Sequence, residues 1–268
     1  MNTAIIVSEK DLAGLNIKER LLELFSFKEN GVFNSRPVYR MNNLKLYTVQ
    51  QESIYCENID KQIEADFFLF ATKHQAKSGI PSLSVHTQGN WGKADYGGRD
   101  RQLCIAPACY LRTALFKLYD FSIGNDYEII QECTHHGPYL EKPTMFIEIG
   151  SSEEHWKNPI AGEIIANTIV SLLTNPVEKS KVAFGIGGLH HTPNFKKIIR
   201  SHNIAFGHVC PKYNLHNLDR NMIEQAFLRT MEGVDYVIVD WKGLGQEKQR
   251  IVRLLEEMGI GYKRTDKF

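Results

Sequence analysis

Along most of the chain, apolar residues recur with a period of two or of about 3.6, and the two periods take turns. Residues 4–8 read as a strand. Residues 11–25 read as an amphipathic helix that turns Leu12, Leu15, Leu21, Leu22 and Phe25 toward a core. Residues 38–41 and 44–49 read as a hairpin across Asn42-Asn43, a pair that tolerates left-handed backbone. Residues 66–71 read as a buried strand. Farther along, strands at 127–133, 144–149, 181–186, 205–209, 234–239 and 261–264 are interleaved with helices at 107–119, 159–173, 193–201, 219–231 and 246–258. Asn158 precedes Pro159, and Thr192 precedes Pro193, which places a capping side chain before a proline in the first helical turn. Strands separated by helices of this length predict an α/β fold, with a mixed, mostly parallel sheet covered by helices on both faces.

The pattern lapses from 72 to 102, where only 83–86 is strand-like and Gly79, Pro81, Gly89, Gly92, Gly97 and Gly98 punctuate a polar stretch. A gap this long in a compact chain predicts a functional loop or lid. With 268 residues, 43% of them apolar and 24% charged, one domain over 1–268 with a sizeable core is expected.

Composition narrows the function classes. The longest apolar run, Phe67-Phe68-Leu69-Phe70-Ala71, is far short of a membrane span. Ala4-Ile5-Ile6-Val7 follows no basic leader, and the cysteines (Cys56, Cys104, Cys109, Cys133 and Cys210) form no C-x-x-C pair, so a reducing cytoplasmic setting is expected. A net charge of +1 provides no global basic field. Lys196-Lys197 and Lys242 are nevertheless local candidates for phosphate contacts.

The ten histidines change the picture most. His86, His135, His136, His190, His191 and His208 fall at or just beyond strand ends, where α/β sheets build sites. Glu132-Cys133-Thr134-His135-His136-Gly137-Pro138 supplies a carboxylate and two imidazoles, the usual ingredients of a general base with its orienting partner. Gly185-Ile186-Gly187-Gly188-Leu189-His190 departs from a dinucleotide fingerprint at its sixth position, but its glycines allow backbone amides to approach an anion. Cys133-x-His135 and His208-x-Cys210 each put two metal-ligand types on one side of a strand, leaving a zinc site open beside a metal-free hydrolytic one. Gly150-Ser151-Ser152 lacks the second glycine of a nucleophile elbow.

Taken in order, these strings carry a resemblance. Ser78-Gly79-Ile80-Pro81-Ser82-Leu83-Ser84-Val85-His86-Thr87, Gly89-Asn90-Trp91 and Gly97-Gly98 are followed by Glu132-x-Thr134-His135-His136-Gly137-Pro138 and Phe146-x-Glu148-Ile149-Gly150-Ser151-Ser152-Glu153. Gly187-Gly188-x-His190, Gly207-His208 and Asp240-Trp241-Lys242-Gly243 complete the set. The chain resembles the archaeal- and plant-type D-aminoacyl-tRNA deacylases from its first strand to its C-terminus, with His191 standing where that family's pattern carries tyrosine.

The resemblance implies hydrolysis of the ester between a D-amino acid and the 3′ end of tRNA, on a phosphorylase- or peptidyl-tRNA-hydrolase-like α/β scaffold. It implies zinc as cofactor, with His135, His208 and Cys133 as candidate ligands, and D-aminoacyl-tRNA as substrate, with no obligate protein partner. Glu132 with His135 or His136 would activate water, and His190 would join them in the chemistry. His86, Trp91, Glu148 and Lys242 would contact substrate, and amides of Gly187 and Gly188 would stabilise the oxyanion. A zinc-dependent peptidase or a peptidyl-tRNA hydrolase on the same scaffold, or a non-catalytic tRNA-binding module, are the alternatives.

Overall fold

The computed structural model describes residues 1–77 and 79–268, so Ser78 of the Ser78-Gly79 string lies outside the described residues. The strands divide between two sheets. The larger contains β1 (Thr3–Ser8), β2 (Lys28–Phe33), β3 (Arg36–Met41), β4 (Leu44–Val49), β5 (Phe67–Gln75), β6 (Ser82–His86), β7 (Glu128–Gln131) and β8 (Thr144–Ser151). Their spatial order is β2-β3-β4-β1-β5-β8-β6-β7. Strands β4, β1, β5 and β8 run parallel, β7 runs parallel to β6, and β6 lies antiparallel against β8. The smaller sheet is wholly parallel, in the order β10 (Ile204–Cys210), β9 (Lys181–Ile186), β11 (Tyr236–Val239) and β12 (Tyr262–Arg264).

Among the described residues, seven α-helices connect these strands: α1 (Leu12–Leu24), α2 (Ala108–Phe121), α3 (Glu153–Trp156), α4 (Pro159–Thr174), α5 (Pro193–Ser201), α6 (Arg220–Leu228) and α7 (Lys248–Glu257). Asp11 caps α1 by accepting the Gly14 amide, and Asn158 caps α4 by accepting the Ile160 amide. Thr192 does not cap α5. It sits in left-handed backbone with φ 45°, and its hydroxyl donates instead to the Gln131 carbonyl at 2.6 Å.

The core explains the sheet. In β5 the side chains alternate: Phe67, Leu69 and Ala71 enter one apolar cluster with Ile5, Val7, Ile147 and Ile149, beneath residues of α1, α2 and α4. Phe68 and Phe70 enter a second cluster on the opposite face with Ile6 and Phe146, where the 3-10 turns Ser53–Tyr55 and Ile59–Lys61 cover it. Both faces are thus buried, which is why β5 reads as an unbroken apolar run. The first cluster also includes Ala183, Phe195, Phe206 and Ile238, so apolar packing is continuous between the sheets.

Part of the 72–102 stretch is packed into this body. Residues 82–91 are buried throughout. Beyond β6 the chain runs beside the segment that follows β7, through a bridge between Gln88 and His135 and bonds from the Gly89 amide to the His135 and His136 carbonyls. Strand β2 has no counterpart in the periodicity because it is an exposed edge with Gly31 at φ 93°, so it carries no apolar stripe. No helix is long and apolar enough to cross a membrane among the described residues.

Candidate active site

On the face of the larger sheet opposite α1, α2 and α4, the apolar stripe gives way to polar groups in register. Phe68 and Phe70 of β5 are succeeded by Thr72 and His74, and Phe146 of β8 by Glu148, with Thr72 paired to Glu148. Phe146 stacks on Phe70 at 4.8 Å and on His86 at 5.2 Å, so the aromatic layer forms the floor on which the histidines stand. A cleft of about 890 Å³ opens above it, lined among others by Asp11, His74, Trp91, Tyr96, His135, His136, Glu148, His190 and Tyr213.

Two buried carboxylates organise the cluster. Glu132, only 2% exposed, accepts from His190 Nε2 at 2.8 Å, lies 3.2 Å from His74 Nδ1 and is 3.6 Å from His135 Nε2. Glu148 accepts from the Thr72 hydroxyl at 2.7 Å and the Ser84 hydroxyl at 3.4 Å, and lies 3.6 Å from His74 and 3.7 Å from His86. His190 in turn directs Nδ1 to the Tyr213 hydroxyl at 3.0 Å and faces the Cys133 sulfur at 3.4 Å. His86, His135 and His136 have ring centroids 4.3 to 4.8 Å apart.

The protonation pattern is split. Burial opposes charge on every group here. For His190 the Cys133 and Glu132 contacts outweigh it and lift the imidazole to about 11; for His74 the Glu148 and Glu132 carboxylates lift it to about 9. His190 and His74 hold Glu132, and contacts with His74 and His86 hold Glu148, well below the usual carboxylate range despite their burial. His135 and His136 go the other way, because burial and the neighbouring imidazoles disfavour their charged forms: His135 is pushed well down and His136 to about 4. Each of these two has its Nδ1 on a backbone carbonyl, Cys133 O and Gly137 O, which leaves the Nε2 lone pair for other partners.

Glu132, His86, His135, His136, Glu148 and His190 therefore come together. Trp91 borders the cleft, but it stacks on Phe184 at 5.7 Å and donates its indole N–H to the Thr134 carbonyl, which braces the histidine loop. Gly187 and Gly188 lie against Asp240 and Gly243, and the Gly187 amide is spent on the Cys210 carbonyl at 2.8 Å. Lys242 lines a different depression, with Asn194, Lys197 and Thr265, while the Lys196 amine meets the Ile129 carbonyl. His191 stands beside His74, with ring centroids 5.7 Å apart, and burial lowers its pKa.

Side chains able to hold a metal ion converge in three sets among the described residues: His86, His135 and His136; Cys133, His135 and His190; His74, Glu132 and Glu148. His208 belongs to none of them. It is fully buried, bonded through Nδ1 to the Thr134 hydroxyl and through Nε2 to the Arg229 carbonyl, and burial lowers it to about 4. The fold thus favours neutral His208, whereas the unfolded chain takes up its proton near pH 6.5. Stability from this group is present at neutral pH and lost as pH falls from 6.5 through 4. In urea unfolding, wild type should lose about 3 kcal/mol more than His208→Asn between pH 7 and pH 4.

His74 and Tyr213 escaped the sequence reading. β5 continues for four residues past its apolar run, and His74 lies on that extension, so its place past a strand's apolar part was a usable signal. Tyr213 lies in the 3-10 turn Lys212–Asn217, where no periodicity marks it.

A buried pair of carboxylates, flanked by both charged and neutral imidazoles at an open cleft, defines an α/β enzyme of acid–base, hydrolytic type. A family profile described as D-aminoacyl-tRNA deacylase matches residues 61–263. The D-aminoacyl-tRNA deacylase of Thermococcus kodakarensis is 42% identical over 97% of this chain and 98% of its own length, and that of Pyrococcus abyssi is 41% identical over 96% and 98%. The crystal structure of the conserved protein of unknown function AF0625 superimposes with a TM-score of 0.90 at 30% identity, covering 99% of this chain and 95% of that one. The chain belongs to the D-aminoacyl-tRNA deacylase family.

Proposed function

We propose that this chain hydrolyses the ester joining a D-amino acid to the 3′-terminal ribose of tRNA, returning the tRNA to correct charging in the cytoplasm. Besides family membership, the observation that carries this reading is the pair of opposite imidazoles on one carboxylate. His74, held protonated, and His135, held neutral, both lie against Glu132. An aminoacyl ester is already activated, so a positioned water, a proton acceptor and an oxyanion donor suffice.

The residues divide those tasks. Water in the cleft meets the Nε2 lone pair of His135 or His136, and Glu132 stabilises the imidazolium formed when the proton is taken. His74 lines the cleft, and its positive charge stabilises the negative charge that develops on the ester's carbonyl oxygen, while its Nε2 is buried without a hydrogen-bond partner among the described residues. The histidine that took the proton returns it to the departing ribose oxygen, and His190 holds Glu132 in position.

Zinc fits the same cluster. Both ring nitrogens of His86 lack a hydrogen-bond partner among the described residues, and its neighbours His135 and His136 favour the neutral, ligating form. An ion held by His86, His135 and His136 would occupy those same Nε2 lone pairs, so with it bound the activation of water would come from its Lewis acidity in place of proton acceptance by these imidazoles.

Deacylation of matched D- and L-aminoacyl-tRNA is the test, run before and after chelation and again with zinc restored. The D-ester should be hydrolysed and the L-ester spared. Chelation should lower both turnover and Tm, and zinc should restore both. Equal rates on the two stereoisomers, or none on either, would refute the activity. An unchanged Tm and rate after chelation would refute the zinc.

A further inference from the structure

The cleft rim carries an aromatic side chain that the chemistry just described does not use. Tyr96 lines the cleft and is 69% exposed. Its side chain makes no hydrogen bond, ion pair or ring contact among the described residues. A solitary exposed tyrosine is ordinary on a mobile surface, but this one is held on a fixed turn. The Tyr96 carbonyl accepts the Gly137 amide at 3.0 Å, the Gly97 carbonyl accepts Asn90 Nδ2 at 2.9 Å, and the Gly98 amide donates to the Glu57 carboxylate. Gly97 sits so close to the Ile54 carbonyl that no side chain fits there, and Tyr55, 48% exposed, lies against it. Because Gly137 directly follows His136, the same backbone contact that fixes Tyr96 fixes its distance from the catalytic histidines. Exposed Lys93 stands on the same rim.

We propose that Tyr96 is a positioning residue on which a nucleobase of the single-stranded 3′ end of the substrate stacks, with Lys93 near the adjoining phosphate. This rests on the reading of the substrate as an aminoacylated RNA. A base presents a π-face whatever its identity, and an aromatic platform in water at a fixed distance from the reacting groups places the ribose ester over them. The hydroxyl is not needed for stacking, so phenylalanine substitutes and alanine does not.

The test uses the full chain and a short hairpin RNA whose unpaired 3′-terminal nucleotide is 2-aminopurine, without any amino acid. Wild type and Tyr96→Phe should quench its fluorescence on binding. Tyr96→Ala should abolish the quench and weaken binding by about 5- to 150-fold, the range of one base–aromatic stack. In deacylation, Tyr96→Ala should raise KM by a similar factor and leave kcat within about twofold. Quenching that survives Tyr96→Ala, or a loss confined to kcat, would overturn the proposal. Tyr96-dependent quenching in a protein that hydrolyses no D-aminoacyl-tRNA would overturn the assigned activity and leave the stacking site standing.

Discussion

Glu132→Gln should reduce deacylation at least about a thousandfold while the chain remains folded. Glutamine keeps the volume and one acceptor oxygen, so the His190 contact at 2.8 Å can persist in form. What disappears is one of the charges that help to keep His190 and His74 protonated, and the one that would stabilise a protonated His135. Without it His190 moves down, His74 keeps only the support of Glu148, and the positive charge offered to the oxyanion weakens while the energy of the proton-accepting step rises. The two losses belong to one network and will not add as independent terms. Circular dichroism establishes that the variant is folded, and single-turnover deacylation reads the chemical step. NMR titration should show His190 moving down from about 11. A variant within tenfold of wild type would remove Glu132 from the chemistry.

Gly137→Ala should be a strongly damaging single-methyl change, destabilising by more than about 4 kcal/mol. A methyl group at this position would meet the Gly98 amide nitrogen, the Gly97 carbonyl carbon and the Ile54 carbonyl oxygen. All three are backbone atoms on segments pinned elsewhere, so none yields as the tip of a flexible side chain would. Relief requires moving either the Tyr96 turn or the His135-His136 loop. Urea unfolding should show a lower midpoint at unchanged m-value, and activity should be lost even at temperatures where the variant is folded. A cost under 1 kcal/mol would mean that the two loops are not locked together.

Much of this was legible from the residues, for identifiable reasons. His86, His135, His136 and His190 could be found because polar, titratable side chains beyond apolar runs are conspicuous. Glu148 stood out less by position than by its companions, since it lies within β8 rather than past its end. The division into two sheets was not legible, because apolar periodicity reports which side of a strand is buried and not which strand lies beside it. The glycines at 187 and 188 suggested a cradle for an anion. The Gly187 amide instead joins the chain after β9 to the end of β10, a tertiary bond that no local pattern encodes.

The two-sheet layout has a consequence for how the chain is made. Every strand of the larger sheet has left the ribosome by Ser151, and with them Glu132 and Glu148. His190 and Tyr213, the groups that close the network around Glu132, are synthesised later. Until they arrive, burial of Glu132 is opposed by desolvation that His74 offsets only in part. The early sheet thus has an electrostatic reason to stay hydrated at this corner, and the last third of the chain acts as an intramolecular counter-ion whose arrival sets when the catalytic cleft can dry.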